Sequence, residues 1–353
     1  MALKPRILVA PLNWGLGHAT RCVPVINALL ANGYDPILAS DGTALELLKK
    51  EFPSLHYAEF ASYNIRYPKH GDMFRLQMIK NAPAILHAIS KEQKQTAALI
   101  SEYDIKGIIS DNRLGVRHEA VPSVIITHQL KVLSGQTTWL SSKMHNAYIK
   151  KFDECWVPDI DSEKNLSGEL GHPEQFVIPT KHIGLLSRLN NTRQARKYDL
   201  IAIISGPEPQ RTEMENKLTM ELKTYPGSVL MVCGRIEEKQ TSSQEGQILK
   251  VNFMLGQELE TAINSSSLVL SRSGYSTIMD LAKLGNKAFF IPTPGQFEQE
   301  YLAKRLDHLG IVPFCKQSDF NMEQLLRAEK YSGFKSEMVP VNYKALFGLF
   351  KSE

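Results

Sequence analysis

Residues 6–31 read RILVAPLNWGLGHATRCVPVINALLA, and this stretch decides the fold. An apolar run from Arg6 to Leu12 is followed by a turn that contains two glycines, and then by a helical pattern from Ala19 to Ala31. A continuous apolar run bounded by a turn is typical of a strand buried on both faces of a parallel sheet. The stretch therefore predicts one β-α unit of an α/β domain.

The same alternation of short apolar runs and helical patterns continues on both sides of a polar stretch at residues 188–197. Before it, we predict further strands at residues 35–39, 55–60, 106–111, 123–128 and 154–157. After it, we predict strands at residues 200–205, 228–233, 247–251, 268–271, 287–292 and 311–314. This pattern predicts an α/β protein with two doubly wound, Rossmann-like parallel-sheet domains, 1–187 and 198–335, joined by a linker at 188–197.

Composition excludes several classes of protein. The chain has 353 residues, of which 43% are hydrophobic and 22% charged, so it is neither collagen-like, disordered nor a coiled coil. The four cysteines are far apart, which predicts neither a disulfide framework nor a zinc site. The formal charge is only +4 and its basic residues are interleaved with acidic ones, so we expect no nucleic acid partner. No secretory signal is evident near Met1, so we expect a cytoplasmic protein.

The first candidate site is the turn after the first strand, with Asn13, Gly15, Gly17 and His18. Ligands of open α/β sheets bind beyond the carboxyl ends of the strands. The turn lacks the third glycine of a dinucleotide fingerprint and the Gly-Lys-Ser/Thr of a P-loop. His18 is a candidate general base because its ordinary pKa suits proton transfer near neutral pH. The alternative is a histidine that caps or packs against the helix.

The second candidate site follows the strand at residues 268–271. Arg272, Ser273, Gly274 and Tyr275 form the start of a helix, where free N–H groups and small residues favour an anion. Asp280 lies further along the same helix, and its carboxylate could accept hydrogen bonds from sugar hydroxyls. A phosphate joined to a ribose is the ligand that this segment predicts.

Two more turns of the second domain contain candidate residues. Gly206 and Arg211 follow its first strand, and the arginine could reach a phosphate. Gln296, Gln299 and Glu300 open a helix after the strand at 287–292. The alternative for these three is an ordinary capped helix start.

Taken together, these motifs resemble the family 28 glycosyltransferases, which have the GT-B fold, and among them the N-acetylglucosaminyltransferases of peptidoglycan synthesis. The resemblance rests on Gly15-Leu-Gly-His18, on Ser271 to Asp280 and on Gln299-Glu300, and it covers nearly the whole chain in order. It implies two Rossmann-like domains that face each other across a cleft. It also implies an amino-terminal domain for the acceptor, a carboxyl-terminal domain for a nucleotide sugar, usually a UDP-sugar, and a final helix at 336–353 that packs back on the first domain.

The resemblance also implies roles for donor-site residues. Ser273 and Gly274 would lie at the diphosphate, and Asp280 would hold the ribose. Gln299 and Glu300 correspond to a Gln-Gln pair that contacts the sugar. Glu300 departs from that pair, which leaves the donor sugar open.

In the first domain the resemblance places Gly17 and His18 near the reacting centre. Thr127-His128-Gln129 corresponds to a polar cluster, His-Glu-Gln-Asn, that follows a strand in the family. The implied reaction is an inverting transfer in which a base deprotonates an acceptor hydroxyl that attacks the anomeric carbon. His18 is our prediction for the base, and His128 and Asp111 are the alternatives.

No metal or other cofactor is implied. Asp159-Ile-Asp161 has the spacing of a manganese motif, but it follows Trp156-Val-Pro158 in a predicted loop remote from the nucleotide motifs, so we expect no metal there. Several relatives glycosylate lipids, so the predicted partners are a nucleotide sugar and a lipid or lipid-linked acceptor. Residues 63–93 combine basic and large apolar side chains. They predict either an ordinary amphipathic helix or a peripheral contact with the inner face of the membrane.

Two rival functions remain open. One is a GT-B-like hydrolase or epimerase that acts on the nucleotide sugar itself. The other is a non-catalytic subunit that binds a nucleotide sugar. An assay for cleavage without an acceptor discriminates the first, and substitution of His18 discriminates the second.

Overall fold

The computed structural model describes residues 4–63, 74–133, 138–192, 194–336 and 340–351. They form two compact units, and each contains one β-sheet. The first unit ends at Ser187 and also includes residues 340–351, and the second unit begins at Arg188. Asn191 donates a hydrogen bond to the Leu284 carbonyl (2.7 Å), so this part of the predicted linker packs with the second unit.

The first unit contains a seven-stranded parallel sheet in the order β3-β2-β1-β4-β5-β6-β7. Its elements are β1 (Arg6–Pro11), α1 (Gly17–Ala31), β2 (Asp35–Ser40), α2 (Gly42–Glu51), β3 (His56–Glu59), α3 (Phe74–Tyr103), β4 (Ile105–Asp111), β5 (Ser123–Ile126), α4 (Thr138–Ile149), β6 (Glu154–Val157) and β7 (Thr180–His182).

The second unit contains a six-stranded sheet in the order β10-β11-β9-β8-β12-β13, in which only β10 is antiparallel to its neighbour. Its elements are β8 (Tyr198–Ile203), α5 (Gln210–Glu221), β9 (Val229–Val232), β10 (Ser242–Glu245), β11 (Ile248–Val251), α6 (Gly256–Asn264), β12 (Ser266–Ser271), α7 (Tyr275–Leu284), β13 (Ala288–Phe290) and α8 (Phe297–His308).

Both sheets reverse their strand order at one point, and this feature positions the candidate sites. In the first sheet the reversal lies between β1 and β4, whose last residues, Pro11 and Asp111, are paired. In the second sheet it lies between β8 and β12, where Ile203 pairs with Ser271. Such a reversal leaves a crevice at the carboxyl ends of the two central strands, which is where ligands of doubly wound sheets bind.

The prediction of two parallel-sheet α/β domains is confirmed. The apolar strands were predictable because they are buried on both faces, as in β9, where all four residues are buried. The predicted strand at 311–314 is wrong: the structure has only an isolated bridge between Phe290 and Phe314 there. Strand β10 was not predicted, because its sequence, Ser-Ser-Gln-Glu, is polar and it lies at the edge of the sheet.

No helix in the described ranges is long and apolar enough to cross a bilayer. The segment predicted to be either an amphipathic helix or a membrane contact, residues 63–93, is described only in part. Residues 64–73 lie outside the described residues, Tyr63 lies in the loop after β3, and residues 74–93 belong to the first two thirds of α3.

The end of the chain packs on the sheet of the first unit. A short helix, α9 (Tyr343–Leu346), continues into a 3₁₀ turn that ends at Phe350. The Phe347 and Phe350 rings are buried, and the Phe350 ring lies edge-on to Trp156 of β6, with ring centroids 6.2 Å apart. The Tyr34 hydroxyl donates a hydrogen bond to the Phe347 carbonyl (3.1 Å). Residues 340–351 therefore complete a core whose other side chains come from the beginning of the chain.

We expect Gly107→Ala to lower the free energy of unfolding by about 1–3 kcal/mol, the usual range for overpacking. A Cβ at this position of β4 would lie 2.3 Å from Cδ1 of Phe350 and 3.1 Å from Cδ1 of Ile7. Urea unfolding of the variant measures the effect. Gly348→Ala is the matched control, since a Cβ there has no atom within 4 Å. Equal stability of Gly107→Ala and the control would contradict the packing of residues 340–351, the tail, on β4.

Candidate active site

A buried polar cluster of the first unit lies at the strand reversal between β1 and β4. Helix α1 begins just after β1 and carries His18 and Arg21 one turn apart, so that both side chains lie over the end of β4. Asp111, the last residue of β4, faces them and is fully buried. Two of the three candidate bases, His18 and Asp111, therefore lie together.

The contacts within this cluster are direct. His18 Nδ1 lies 2.8 Å from Asp111 Oδ1. Arg21 donates from Nε to Asp111 Oδ2 (2.5 Å) and from Nη2 to Asp111 Oδ1. His18 Nε2 makes no hydrogen bond with any residue that the structure describes. The ring is thus held at one nitrogen, Nδ1, while Nε2 has no hydrogen-bond partner within the described residues.

The charges around the pair favour a neutral histidine and an ionised aspartate. Burial and Arg21 lower the pKa of His18, although Asp111 acts in the opposite direction. Burial tends to raise the pKa of Asp111, but Arg21 and His18 outweigh it and hold that pKa well below its usual range. A neutral imidazole whose Nδ1 faces a carboxylate can carry its hydrogen on Nδ1 and accept a proton at Nε2.

His128, the third candidate base, lies behind Arg21. It is buried, and its Nδ1 accepts a hydrogen bond from Arg21 Nη1 (3.3 Å). His145 of α4 adds to this side of the cluster: burial and His128 lower its pKa to about 4, and its buried Nε2 has no hydrogen-bond partner among the described residues. The backbone N–H of Gln129 donates to Thr127 Oγ1 (3.0 Å), an interaction that shapes the loop.

A second buried network fixes the glycine turn. Arg113 donates to Glu92 (2.7 Å), to the Pro11 carbonyl (2.9 Å) and to Asp41. Asn13 donates to Asp41 Oδ2 (3.1 Å), and its Oδ1 accepts hydrogen bonds at the start of α2. Asn13, predicted to line the acceptor or diphosphate turn, therefore ties that turn to α2. Gly15 adopts φ +79°, a conformation that favours glycine.

In the second unit, Gly206 and Gly274 mark the two loops at the strand reversal. Gly206 has φ +111°, and a Cβ there would meet only the Thr293 hydroxyl, 3.8 Å away. That hydroxyl is buried and has no hydrogen-bond partner in the described part of the chain. A Cβ on Gly274 would meet no atom within 4 Å, and no side chain caps the start of α7. The space beside Gly274, at the start of a helix, is of the kind in which anions bind.

Two predicted donor-binding arginines are already engaged. Arg272 is buried and donates to the carbonyls of Ile291 and Pro292 (3.0 Å each), to the Gln210 carbonyl and to Gln317. Burial lowers its pKa to about 10. Arg211 donates to Glu208, Glu215 and the Cys233 carbonyl. In this structure both guanidinium groups hold loops together.

The residues at the start of α8 also make internal contacts. Ser273 Oγ donates to the Gln299 carbonyl (2.8 Å), and Gln299 Oε1 accepts from the Thr293 N–H (2.8 Å). Glu300 Oε1 accepts from the Gly295 N–H (3.2 Å). The Ser273 bond joins the loop after β12 to α8, and the other two bonds hold the loop after β13 against the first turn of α8. The N-cap residue of α8, Gln296, makes no side-chain capping hydrogen bond, so the capped helix start that the sequence left as an alternative is not what the structure shows.

A cavity of about 620 Å³ is lined by residues of α5, of α8 and of the loop after β13. Its wall includes Gly295, Glu300 and the side chains of Lys217, Lys304 and Lys316. Of the donor residues that the sequence predicted, Glu300 borders this cavity, and Asp280 on α7 does not.

The Asp-x-Asp motif organises a loop of the first unit. Asp159 is buried and accepts hydrogen bonds from the N–H groups of Leu166 and Ser167. Asp161, His172 and His182 have side-chain N and O atoms within 4.8 Å of one another. The two imidazoles stack face to face, with centroids 4.2 Å apart and planes at 6°. The in-plane lone pairs of parallel rings do not converge on one ion, so this arrangement does not match a metal site.

The sequence did not indicate Arg21 or His145 as site residues. For Arg21 a signal was present, since its spacing of three residues from His18 places both side chains on one face of a helix. His145 carried no comparable signal, because its helix and the loop after β5 that carries His128 are brought together only by the fold.

The chain is similar in sequence to known glycosyltransferases. Residues 200–335 match the glycosyltransferase family 28 C-terminal domain. A relative from Haemophilus influenzae, named UDP-N-acetylglucosamine--N-acetylmuramyl-(pentapeptide) pyrophosphoryl-undecaprenol N-acetylglucosamine transferase, is 24% identical over 275 residues, which cover 72% of this chain and 71% of that protein.

Solved structures of glycosyltransferases resemble the whole chain. The glycotransferase of kitacinnamycin has a TM-score of 0.63 at 12% identity and covers 99% of this chain and 95% of its own. A Streptomyces sp. SF2575 glycosyltransferase, complexed with thymidine diphosphate, has a TM-score of 0.59 at 12% identity, with 93% and 94% covered. The second unit thus carries a family 28 glycosyltransferase C-terminal domain, and the chain is a glycosyltransferase with the GT-B fold.

Proposed function

We propose that this protein transfers a sugar from a UDP-sugar to a hydroxyl group of a lipid-linked acceptor, with inversion at the anomeric carbon. The observation that carries the proposal is the His18–Asp111 pair at the strand reversal of the first sheet, with Nδ1 held and Nε2 without a hydrogen-bond partner among the described residues. The Haemophilus influenzae relative is named for a UDP-linked donor and an undecaprenol-linked acceptor, which supports the choice of both substrates.

In this mechanism His18 is the general base. Its Nε2 accepts the proton of the acceptor hydroxyl while the oxygen attacks the anomeric carbon, and the nucleoside diphosphate leaves with the bonding electron pair. Asp111 stabilises the imidazolium that forms, because its carboxylate lies 2.8 Å from Nδ1. His128 is the alternative base, and its Nδ1 accepts from Arg21.

The donor is assigned to the second unit. We place the diphosphate at the loops of Gly206, Ser273 and Gly274, where the start of α7 is uncapped and the buried Thr293 hydroxyl lacks a partner among the described residues. Tyr275 and Asp280 follow on the same helix, and Asp280 is assigned to the ribose. The sugar is assigned to the start of α8 beside Gln296, Gln299 and Glu300. Arg211 and Arg272 then act by shaping these loops.

Calorimetric titration with UDP, GDP and dTDP tests the donor assignment. We expect UDP to bind, and a transfer assay with polyprenyl-linked acceptors then tests the reaction. Release of sugar at the same rate without any acceptor would instead identify a nucleotide-sugar hydrolase. Binding without turnover in either assay would identify a non-catalytic subunit, and failure to bind any nucleotide would overturn the donor assignment.

We expect Asp280→Ala to weaken UDP binding by roughly tenfold, since a lost hydrogen bond to a charged group corresponds to about 1.5 kcal/mol or more. Calorimetry of the folded variant measures this loss. Glu329→Ala is the control, because Glu329 is an exposed carboxylate of the same unit outside the proposed site. An unchanged UDP affinity in Asp280→Ala would remove the ribose role.

A further inference from the structure

Arg21 occupies the centre of the cluster around the proposed base. Its side chain is buried, with 2% exposed, although an arginine on a surface helix normally reaches solvent. The guanidinium contacts both oxygens of Asp111 and donates to His128 Nδ1 (3.3 Å). Its Nη2 also lies 2.9 Å from His18 Nδ1. One side chain thus touches all three candidate bases.

The first consequence is geometric. A guanidinium is a planar fork, and two parallel contacts to one carboxylate fix the plane of that carboxylate. With the plane fixed, the second lone pair of Asp111 Oδ1 is directed at His18 Nδ1, 2.8 Å away. A lysine ammonium cannot reproduce this, since it is a point charge on a flexible stem.

The second consequence is electrostatic. A protonated His18 would place its positive charge within 2.9 Å of a guanidinium nitrogen. The other groups that face His18 are Asp111 on β4, which favours the charged ring, and His128 after β5, which opposes it. Cys22 contacts Asp111 (3.5 Å), and His145 interacts electrostatically with His128. Arg21 therefore counteracts the effect of Asp111 on His18.

We propose that Arg21 is a positioning residue for sugar transfer: its guanidinium aligns Asp111 with His18 and places a positive charge beside the ring, so that the ring is ready to accept the acceptor's proton. The proposal rests on the proposed function, in which His18 is the base. The lowered pKa of His18, which burial and then Arg21 favour against Asp111, agrees with this role. None of the family motifs in the sequence includes Arg21.

Two variants separate charge from geometry. Arg21→Gln removes the positive charge and keeps one hydrogen-bond donor for Asp111. Arg21→Lys keeps the charge and loses the fork. Arg6→Gln is the control, because Arg6 pairs with Asp35 at a partly exposed position of the same unit, away from the cluster.

The first measurement is an NMR titration of the His18 ring without substrates. We expect Arg21→Gln to raise the pKa of His18 above that of the wild type, since removal of an adjacent like charge favours protonation. In Arg21→Lys the pKa of His18 should be close to that in the wild type, and in Arg6→Gln it should be the same as in the wild type. A His18 titration in folded Arg21→Gln that matches the wild type overturns the proposal.

The second measurement is the pH dependence of kcat/KM for transfer. The acidic limb reports the base in the free enzyme, so in Arg21→Gln it should move to higher pH by the same amount as the NMR titration. In Arg21→Lys the acidic limb should lie at the same pH as in the wild type. Its kcat should fall at least tenfold, and its KM for the nucleotide sugar should not change. Full activity of Arg21→Lys overturns the positioning role. If Arg21→Gln does not fold, the kcat of Arg21→Lys alone tests the positioning role.

The two measurements distinguish a failure of the proposed function from a failure of the role of Arg21. A wild type that shows no transfer refutes the proposed function, whatever the NMR titration shows. Transfer by the wild type, combined with unshifted titrations and pH profiles in both variants, leaves the proposed function intact and refutes the role of Arg21.

Discussion

Replacing His18 with alanine is expected to lower the turnover number for sugar transfer by roughly a hundredfold or more, the usual contribution of a positioned general base. The affinity for the nucleotide should not change, because the donor is assigned to the other unit. The physical reason is that the substitution removes Nε2, the nitrogen that would accept the proton, and also Nδ1, which contacts Asp111. Steady-state kinetics with calorimetry of the same preparation measure both quantities.

His128→Ala is the informative comparison, since His128 shares Arg21 with His18 but lies deeper in the unit. We expect a smaller loss of turnover than in His18→Ala. The reverse order would reassign the base to His128, and wild-type turnover in both variants would refute a histidine base. His56→Ala controls for a general effect of removing an imidazole, because His56 is exposed on β3.

Asp111→Ala is expected to lower the free energy of unfolding by about 3–5 kcal/mol, because removal of one member of a buried ion pair leaves the other charge uncompensated. Asp111 is fully buried and Arg21 nearly so, and the pair makes two hydrogen bonds. Urea unfolding followed by circular dichroism measures the loss. The same variant should also lose turnover, since the imidazolium of His18 would lack its counter-charge.

A partly exposed pair supplies the control for this second prediction. Arg6 and Asp35 are 3.3 Å apart, and about a third of each side chain is exposed. Solvent screening limits such a pair, so Asp35→Ala should cost less than about 1 kcal/mol. Equal losses in the two variants would show that burial of the Arg21–Asp111 pair has no special weight in stability.

The sequence predicted the framework of the sites because strand ends and helix starts leave strong local signals. The run from Arg6, the turn at Gly15 and the helix after His18 are contiguous, so their order could be read directly. The ends of β4 and β5 were also readable, and parallel pairing then brought Asp111 close to His18. What made the first site predictable was the topology of a doubly wound sheet.

The hydrogen-bond partners could not be predicted, because they depend on side-chain geometry between distant elements. Arg211 was predicted to reach a phosphate and Arg272 to belong to the donor site, and the structure shows both bound to carbonyls and side chains of neighbouring loops. Gln299 and Glu300 similarly bond to backbone N–H groups. The opposite holds for Arg21. The sequence indicated no role for it, yet in the structure it lies at the centre of the buried cluster and donates to Asp111.

The tail that packs on β4 affects how the protein is made. Phe350 fills the space above Gly107 and Phe347 packs beside Trp156, yet both emerge from the ribosome only after the whole second unit has been synthesised. Until then the nascent first unit exposes the apolar surface around Gly107 and Trp156, and such surfaces promote aggregation or chaperone binding. We therefore expect the second unit to reach its native state first in the cell, although its sequence is translated later.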